Sequence, residues 1–171
     1  MSEAVVSAIR AGAPVLLPTD TVYGLCADGY REAPVRRALR LKGRAGEQPS
    51  ALLASDLDLL LECVPELRGR AATIARALLP GPYTLVLPNP ARRFRWLTGS
   101  RPEAIGVRVP LLAGEARSVL EQVGVLLATS ANLPGEPAPR RLDEVAGALR
   151  AGCAAELDGG QLPGTASTVI D

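Results

Sequence analysis

VLLPTDTVYG, residues 15–24 of the chain, is a strand signal that runs directly into a turn signal. Its first three residues form an apolar run that is typical of a buried strand. The proline, threonines, aspartate and glycine that follow are typical of a turn. Polar side chains on a loop at the end of a strand are where proteins often build sites. Thr19, Asp20 and Thr21 are therefore candidate site residues, and the same residues could equally serve as turn and cap residues.

The rest of the chain alternates the same two signals, so the pattern outward from residues 15–24 predicts an α/β fold. Connections of unequal length favour a sheet with mixed parallel and antiparallel pairing over a regular doubly wound one. At 171 residues, we expect one domain, residues 1–171, that buries roughly two-thirds of its unfolded surface. Apolar runs predict further strands at 51–53, 83–87, 105–109, 125–128, 154–157 and 167–170. Helical patterns occur at 5–9, 34–41, 56–63, 66–79, 114–123 and 142–149, and 88–101 is expected to be a mobile surface loop.

Composition narrows the possible functions. Aromatic residues make up 3% of the chain, so a surface that stacks nucleic-acid bases on aromatic rings is disfavoured. The net charge is +1, so an anionic ligand must be held by a local cluster of charges. Histidine is absent, which excludes a Ser-His-Asp or Cys-His nucleophile and an imidazole general base.

The cysteines and the N-terminus point to a reducing compartment. Cys26, Cys63 and Cys153 are far apart in sequence and have no histidine to complete a zinc site. We expect them to be small, buried, apolar residues. The first twelve residues contain no apolar run of the length that export requires, and no segment could span a membrane. The sequence predicts a cytoplasmic protein.

Four polar segments lie at the ends of predicted elements: PTDTVYG (18–24), KGR (42–44), GVRVP (106–110) and ATSANLPGEPAP (128–139). Lys42 is the only lysine beside eighteen arginines, although a lone lysine on a solvated loop would need no function. Arg108 lies among valines, where a guanidinium needs an anionic partner. Ser130 and Asn132 could cap a turn or hold phosphate oxygens. Neither GxxxxGK[ST] nor GxGxxG occurs, so neither common nucleotide fold is indicated.

Taken together, these segments closely resemble the YrdC/TsaC family, the threonylcarbamoyl-AMP synthases. The matching blocks occur in the family's order and span nearly the whole chain. They are PTDTVYGL, LKGR followed by Pro49, PGPYTLVL at 80–87, GVRVP, ATSAN with GEPAP, LDGG at 157–160 and GTASTVID at the end.

The resemblance implies a fold and a reaction. The fold is a single-domain, YrdC-like twisted mixed sheet with flanking helices and a positively lined concave cavity. In the reaction, L-threonine and bicarbonate (or CO₂) give N-carboxythreonine, whose carboxylate attacks the α-phosphorus of ATP. The products are threonylcarbamoyl-AMP and pyrophosphate, and a downstream threonylcarbamoyl-transfer enzyme complex then modifies tRNA. Mg²⁺ is expected to be carried on the ATP phosphates, because the sequence offers no carboxylate cluster to hold it.

The resemblance also assigns residues. The family's KxR and SxN pairs fall on four residues that would hold the ATP phosphates and the reacting carboxylate: Lys42, Arg44, Ser130 and Asn132. Threonine would be bound by three residues: Thr21, Arg108 and Ser167. Positioning and charge stabilisation would supply the catalysis, which suits a chain without histidine.

The chain departs from many family members at a few positions: Ala45, Glu47-Gln48, Leu53, Ala138 and Ala166. It also stops at Asp171, where relatives usually continue through another strand. Two other functions stay open. One is a module that binds double-stranded RNA or tRNA, which the balanced charge weakens. The other is a YciO-type relative with a different acceptor.

Overall fold

The computed structural model describes residues 1–44 and 47–171. The described strands are β1 (Val15–Pro18), β2 (Tyr23–Asp28), β3 (Ala51–Ala54), β4 (Tyr83–Pro88), β5 (Ala104–Arg108), β6 (Val125–Ser130), β7 (Ala155–Glu156) and β8 (Thr168–Ile170). The described helices are α1 (Ser2–Arg10), α2 (Glu32–Leu41), α3 (Leu57–Cys63), α4 (Gly69–Leu78), α5 (Gly114–Val123) and α6 (Gly147–Gly152). A 3₁₀ helix, Leu142–Glu144, precedes α6.

All eight strands belong to one sheet in the order β7-β1-β2-β6-β3-β5-β4-β8. The pairs β1–β2, β2–β6, β3–β6 and β4–β5 are antiparallel. The pairs β1–β7, β3–β5 and β4–β8 are parallel. The prediction of a mixed α/β sheet is therefore confirmed.

The central strands read as continuous apolar runs because both faces of the sheet are covered. Along β1, Leu16 packs into one core cluster, whereas Val15 and Leu17 pack into the other. Helices α1 and α5 contribute residues to the second cluster, and α2, α3 and α6 contribute to the first. The core is built mainly from leucine, valine, alanine and isoleucine, as the scarcity of aromatics requires.

Apart from the earlier start of α1 and shifts of one or two residues at other element ends, the predicted elements differ from the structure in three ways. Strand β2 was not predicted, because Tyr23 and Gly24 read as the end of a turn rather than the start of a strand. The expected helix at 142–149 is divided into a 3₁₀ turn and α6, because the backbone at Val145 and Ala146 is extended. The helix expected from residue 66 begins only at Gly69.

The segment 88–101 is tied to the rest of the molecule at several points. Asn89 is fully buried, and its side-chain amide donates to the carbonyl oxygens of Arg93 (2.9 Å) and Pro102 (3.1 Å). Leu97 is buried, and its carbonyl accepts the Ser50 N–H at 2.8 Å. The segment is thus packed against the chain that follows the KGR motif, where the sequence predicted only a surface loop.

Candidate anion and amino-acid site

A polar cavity of about 380 Å³ lies where the β1–β2 turn, the end of β6, the start of β3 and the segment before β8 meet. It continues into a more apolar recess of about 170 Å³, and the two share Pro49, Ser50, Ala51, Thr84 and Val169. The polar and charged residues that line the larger cavity are Thr19, Thr21, Arg44, Ser50, Thr84, Arg108, Thr129, Ser130 and Ser167.

Lys42 follows the last turn of α2 and is only 4% exposed. Its ammonium donates to the Ser130 carbonyl, to Ser130 Oγ at 3.2 Å and to Asn132 Oδ1 at 3.2 Å. Burial, and secondly the positive charge of Arg44, lower the pKa of Lys42 to about 8. Lys42 therefore lies behind the end of β6, joined to both polar residues of the ATSAN segment.

Arg44 is half-buried and lines the cavity. Its Nε donates to Gln48 Oε1 at 2.6 Å, and Nη1 donates to Thr129 Oγ1 at 3.2 Å and Ser50 Oγ at 3.4 Å. Burial lowers the pKa of Arg44 as well. Within residues 1–44 and 47–171, neither Arg44 nor Lys42 has a carboxylate partner. Two neighbouring cations held only by neutral oxygens make a site for an anion.

Ser130 and Asn132 differ in how much of their side chain is free. Ser130 ends β6 and lines the cavity, rather than following the strand as predicted. Asn132 uses both ends of its amide, because Oδ1 accepts from Lys42 and Nδ2 donates to the Glu136 carbonyl at 2.6 Å. Asn132 thereby joins the ammonium to the PGEP segment.

Arg108 ends β5, is 8% exposed and has an anionic partner that the sequence did not identify. Its Nη2 donates to Asp20 Oδ1 at 2.8 Å, and Thr21 Oγ1 lies 3.5 Å from the same nitrogen. Asp20 Oδ2 accepts the Leu111 N–H at 3.1 Å. Among the described residues, Arg108 Nε is the only buried side-chain nitrogen or oxygen without a hydrogen-bond partner. One edge of the guanidinium is thus fixed by Asp20, while Nε has no partner among the described residues.

The β1–β2 turn is held by its own hydroxyl groups. Thr19 Oγ1 donates to the Val22 carbonyl at 2.7 Å and lies 3.0 Å from Thr21 Oγ1. Thr19 therefore stabilises the turn, and both Thr19 and Thr21 line the cavity, where a binding role for Thr21 stays a prediction. On the far wall, Ser167 Oγ lies 2.8 Å from Thr84 Oγ1.

The structure brings all seven predicted residues together. Five line the cavity (Thr21, Arg44, Arg108, Ser130 and Ser167), and Lys42 and Asn132 lie directly behind Ser130. Sequence reasoning did not include Ser50, Thr84 or Thr129 in the site. Thr84 and Thr129 could have been recognised in the sequence, because each is a hydroxyl residue at an apolar strand and belongs to one of the matching blocks, PGPYTLVL and ATSAN. A net positive potential in the cavity stays a prediction.

The departures from the family's pattern have different environments. Gln48 contacts Arg44, and Ala166 lines the cavity. Leu53 is 2% exposed and lies opposite Arg108 in the β3–β5 ladder. Ala138 is half-buried, and Ala45 lies outside the described residues.

The expectation of buried cysteines is confirmed for Cys26 and is wrong for Cys63 and Cys153, which are only partly buried. All three are free thiols, and burial raises the pKa of Cys26 and of Cys153 to about 12. A thiol with so high a pKa is a poor nucleophile near neutral pH. In the described ranges no group of three or more His, Cys, Asp or Glu residues is placed to hold a metal ion. None of the described helices has both the length and the apolar character needed to cross a membrane.

Comparison with known proteins gives consistent matches. The Sua5/YciO/YrdC family model, described as "Telomere recombination", matches residues 7–171. The threonylcarbamoyl-AMP synthase of Stenotrophomonas maltophilia is 39% identical over 151 residues, which are 84% of this chain and 77% of that protein.

Two solved structures share the fold of this chain. Sua5 of P. abyssi complexed with L-threonine superimposes with a TM-score of 0.88 at 32% identity, over 99% of this chain and 50% of that one. The chain therefore spans about half the length of that relative. YciO of E. coli superimposes with a TM-score of 0.85 at 26% identity, over 99% of this chain and 82% of that one.

Proposed function

Because the chain belongs to the Sua5/YciO/YrdC family, we propose that it is an L-threonylcarbamoyladenylate synthase. The observation that carries the proposal is the neighbouring pair of cations, Lys42 and Arg44, held by neutral oxygens beside a cavity that also contains Arg108. The curated relative from Stenotrophomonas maltophilia has this activity in its name, and the P. abyssi structure contains L-threonine.

The proposed reaction needs anion binding more than proton transfer. The amine of threonine and bicarbonate give N-carboxythreonine and water. The new carboxylate then forms a bond to the α-phosphorus of ATP while the bond from that phosphorus to the bridging oxygen breaks, and pyrophosphate leaves. Negative charge develops on the phosphoryl oxygens, so fixed cations lower the barrier. In this scheme the protein is a nucleotidyltransferase.

The phosphates are assigned to the cavity wall formed by Arg44 and Ser130, with Lys42 and Asn132 behind them. Among the described residues Arg44 has no carboxylate partner to be displaced, so its charge is available to a phosphate. Lys42 orients Ser130 through two contacts and adds a second positive charge from behind. The more apolar recess of about 170 Å³ beyond Pro49 and Ser50 is assigned to the nucleobase.

Threonine is assigned to the opposite wall, to Thr21, Arg108 and Ser167. Arg108 supports this assignment, because its guanidinium lines the cavity with Nη2 held by Asp20, and guanidinium groups bind carboxylates. Thr21 and Ser167 supply hydroxyl groups that can recognise the hydroxyl of the amino acid. Mg²⁺ would enter on the ATP phosphates, and the product would pass in the cytoplasm to an enzyme complex that modifies tRNA.

One assay tests the proposal: pyrophosphate release from MgATP, with and without L-threonine and bicarbonate. We expect release that requires both. Serine and allothreonine serve as matched substrates, since they test the methyl group and the configuration of the hydroxyl carbon. Release that is independent of threonine would reject the synthase and favour a YciO-type relative with another acceptor. Absent release together with tight binding of double-stranded RNA or tRNA would favour the RNA-binding function.

A further inference from the structure

The LDGG block at 157–160 has no role in the site described above. It begins a segment without helix or strand, residues 158–167, which we name the strap. The strap leaves β7 at one edge of the sheet and enters β8 at the other edge. Its last two residues, Ala166 and Ser167, line the cavity. The position of the strap therefore determines one wall of the proposed threonine site.

The strap crosses the whole width of the sheet. Eight strands give seven inter-strand spacings, which amount to about 34 Å measured along the sheet. The chain from Glu156 to Thr168 can reach at most about 40–43 Å when fully extended. The strap contains neither helix nor strand, so its position depends on individual contacts with the body of the protein.

The most elaborate of these contacts is made by Tyr23. Its ring is fully buried, and its hydroxyl oxygen lies 2.8 Å from the Gly160 carbonyl and 3.1 Å from Asp158 Oδ1. The same oxygen accepts the Gly159 N–H at 3.0 Å. Asp158 Oδ1 also accepts the Gly160 N–H at 2.8 Å. One phenol and one carboxylate thus hold three consecutive residues at the start of the strap.

The main chain of Tyr23 connects the same point to the rest of the site. Its N–H donates to the Pro139 carbonyl at 3.0 Å, and its carbonyl accepts the Ala131 N–H at 2.9 Å. Farther along the strap, the Gly164 N–H donates to the Thr21 carbonyl at 2.9 Å. The strap is therefore fixed at its start and its middle by the VLLPTDTVYG segment, and at its end by the Ser167–Thr84 contact.

We propose that Tyr23 and Asp158 form a latch that keeps the strap closed along the threonine side of the cavity. Tyr23 is then a positioning residue: it does not touch the substrate, and it acts through Ala166 and Ser167. The part of this proposal that concerns threonine rests on the proposed function. Loss of the latch lets the strap move and weakens threonine binding, while the phosphate wall at Arg44 and Ser130 is unaffected.

The test compares Tyr23→Phe with the control Tyr83→Phe. Both variants remove a phenol hydroxyl, and the Tyr83 hydroxyl makes no hydrogen bond in the described part of the chain. Hydrogen exchange of the peptide that covers 158–167 is measured first. We expect exchange of the strap to be about fivefold to tenfold faster in Tyr23→Phe, the factor that corresponds to losing one net hydrogen bond. The control variant should exchange like the wild type.

Kinetics separate positioning from stability. In Tyr23→Phe the KM for threonine should rise about fivefold to tenfold, whereas kcat and the KM for ATP change less than about twofold, because uniform substrate binding is what is lost. Asp158→Ala removes the other half of the latch at an exposed residue, so folding is not at risk. The double variant should show no more than the larger single effect, since the two groups act as one unit.

The outcomes are distinct. Unchanged strap exchange in both Tyr23→Phe and Asp158→Ala would overturn the latch, whatever the enzyme does. Faster strap exchange with equal rises in the KM for ATP and for threonine would overturn its assignment to threonine. Absence of threonine-dependent pyrophosphate release from the wild type would reject the proposed function, and the exchange measurement would still decide whether the latch exists.

Discussion

At the scale of single residues, the site is defined by charges that the fold leaves without partners. In the part of the chain that the structure describes, the Lys42 ammonium has three acceptors, all neutral, and its pKa of about 8 reflects burial and the nearby Arg44. Burying two like charges side by side costs free energy in the unliganded protein. A phosphate or carboxylate offsets that cost, so the arrangement is explained by an anionic ligand better than by stability.

The first prediction concerns the identity of the cation at position 42. Lys42→Arg should lower threonine-dependent pyrophosphate release by about a hundredfold, because a misplacement of about 1 Å in an active site can cost that much. A guanidinium is a wide planar fork and cannot make the three contacts of a compact ammonium behind Ser130. The melting temperature should stay close to that of the wild type.

The control is Arg40→Lys, the reverse exchange at an exposed position of α2. It should leave both activity and melting unchanged. Near-normal turnover of Lys42→Arg would contradict the assignment of Lys42 to the anion site. A large fall in its melting temperature would show that Lys42 is chiefly structural.

The second prediction separates the two partners of Arg108. Arg108→Ala should weaken threonine binding by ~2–5 kcal/mol, the range for truncating one side of a desolvated charge pair. It also leaves the Asp20 carboxylate, 9% exposed, without its cation and should therefore lower stability. The double variant Asp20→Asn with Arg108→Ala should regain much of the stability and none of the threonine affinity.

Calorimetric titration of threonine and thermal melting of both variants measure these effects. Unchanged threonine affinity in Arg108→Ala would mean that Arg108 serves only as the partner of Asp20. Recovery of threonine affinity in the double variant would contradict a direct role for the guanidinium.

At the scale of elements, the local sequence pattern predicted most strands and helices. It failed where tertiary contacts determine the secondary structure. Strand β2 carries Gly24 and Asp28 and directly follows turn residues, yet it is buried between β1 and β6. The division of the predicted 142–149 helix depends on Val145, which is buried in the core with extended backbone. Neither feature has a signal within a short window of sequence.

The site was predictable to the extent that its residues lie in recognisable motifs at the ends of strands. The Asp20–Arg108 ion pair was not, because its members are 88 positions apart and only the pairing of the strands brings them together. The Lys42 ammonium contacts Ser130 from behind and does not project into the cavity. This placement also was not predictable, because it depends on where α2 ends relative to β6. Motifs identify which residues meet, and the fold determines which of their atoms remain free.

The third prediction tests how the segment after the KGR motif is held. Gly99 has a φ of +57°, and a Cβ there would lie 2.4 Å from the Glu47 carbonyl oxygen. Gly99→Ala should therefore displace residues 47–49 and raise the KM for ATP, because Pro49 lines both parts of the cavity. We expect an increase of about tenfold, which corresponds to about 1.4 kcal/mol of lost binding.

The matched control is Gly69→Ala. Gly69 has nearly the same φ, +56°, with nothing within 4 Å of the added Cβ. Both variants carry the backbone strain of an alanine in the left-handed region, about 1–2 kcal/mol. Both should melt at a lower temperature, and only Gly99→Ala should raise the KM for ATP. An unchanged KM in Gly99→Ala would show that residues 47–49 do not shape the nucleotide site.

At the scale of the whole molecule, charge is balanced overall and concentrated locally. The net charge is +1, so the long-range field neither attracts nor repels anions strongly. Binding to an RNA backbone scales with the number of phosphates neutralised, which a balanced surface supports poorly. The sheet instead collects Arg44 and Arg108 at one cavity, with Lys42 behind Ser130. That distribution suits a small polyanion such as ATP better than a long nucleic acid.

The last prediction follows from this distribution and concerns magnesium. Two guanidinium groups on the cavity walls and an ammonium behind them repel a free divalent cation, whereas ATP brings phosphate oxygens that are good Mg²⁺ ligands. Mg²⁺ should therefore bind together with ATP and not before it.

With Mn²⁺ as a paramagnetic substitute, the paramagnetic resonance signal of the free ion should be unchanged by the nucleotide-free protein. It should decrease when ATP is present, and the proton relaxation of the remaining water should change again when the protein joins the MnATP complex. A decrease of the Mn²⁺ signal with protein alone, at micromolar metal, would contradict the prediction and would mean that carboxylates of this chain hold a metal without the nucleotide.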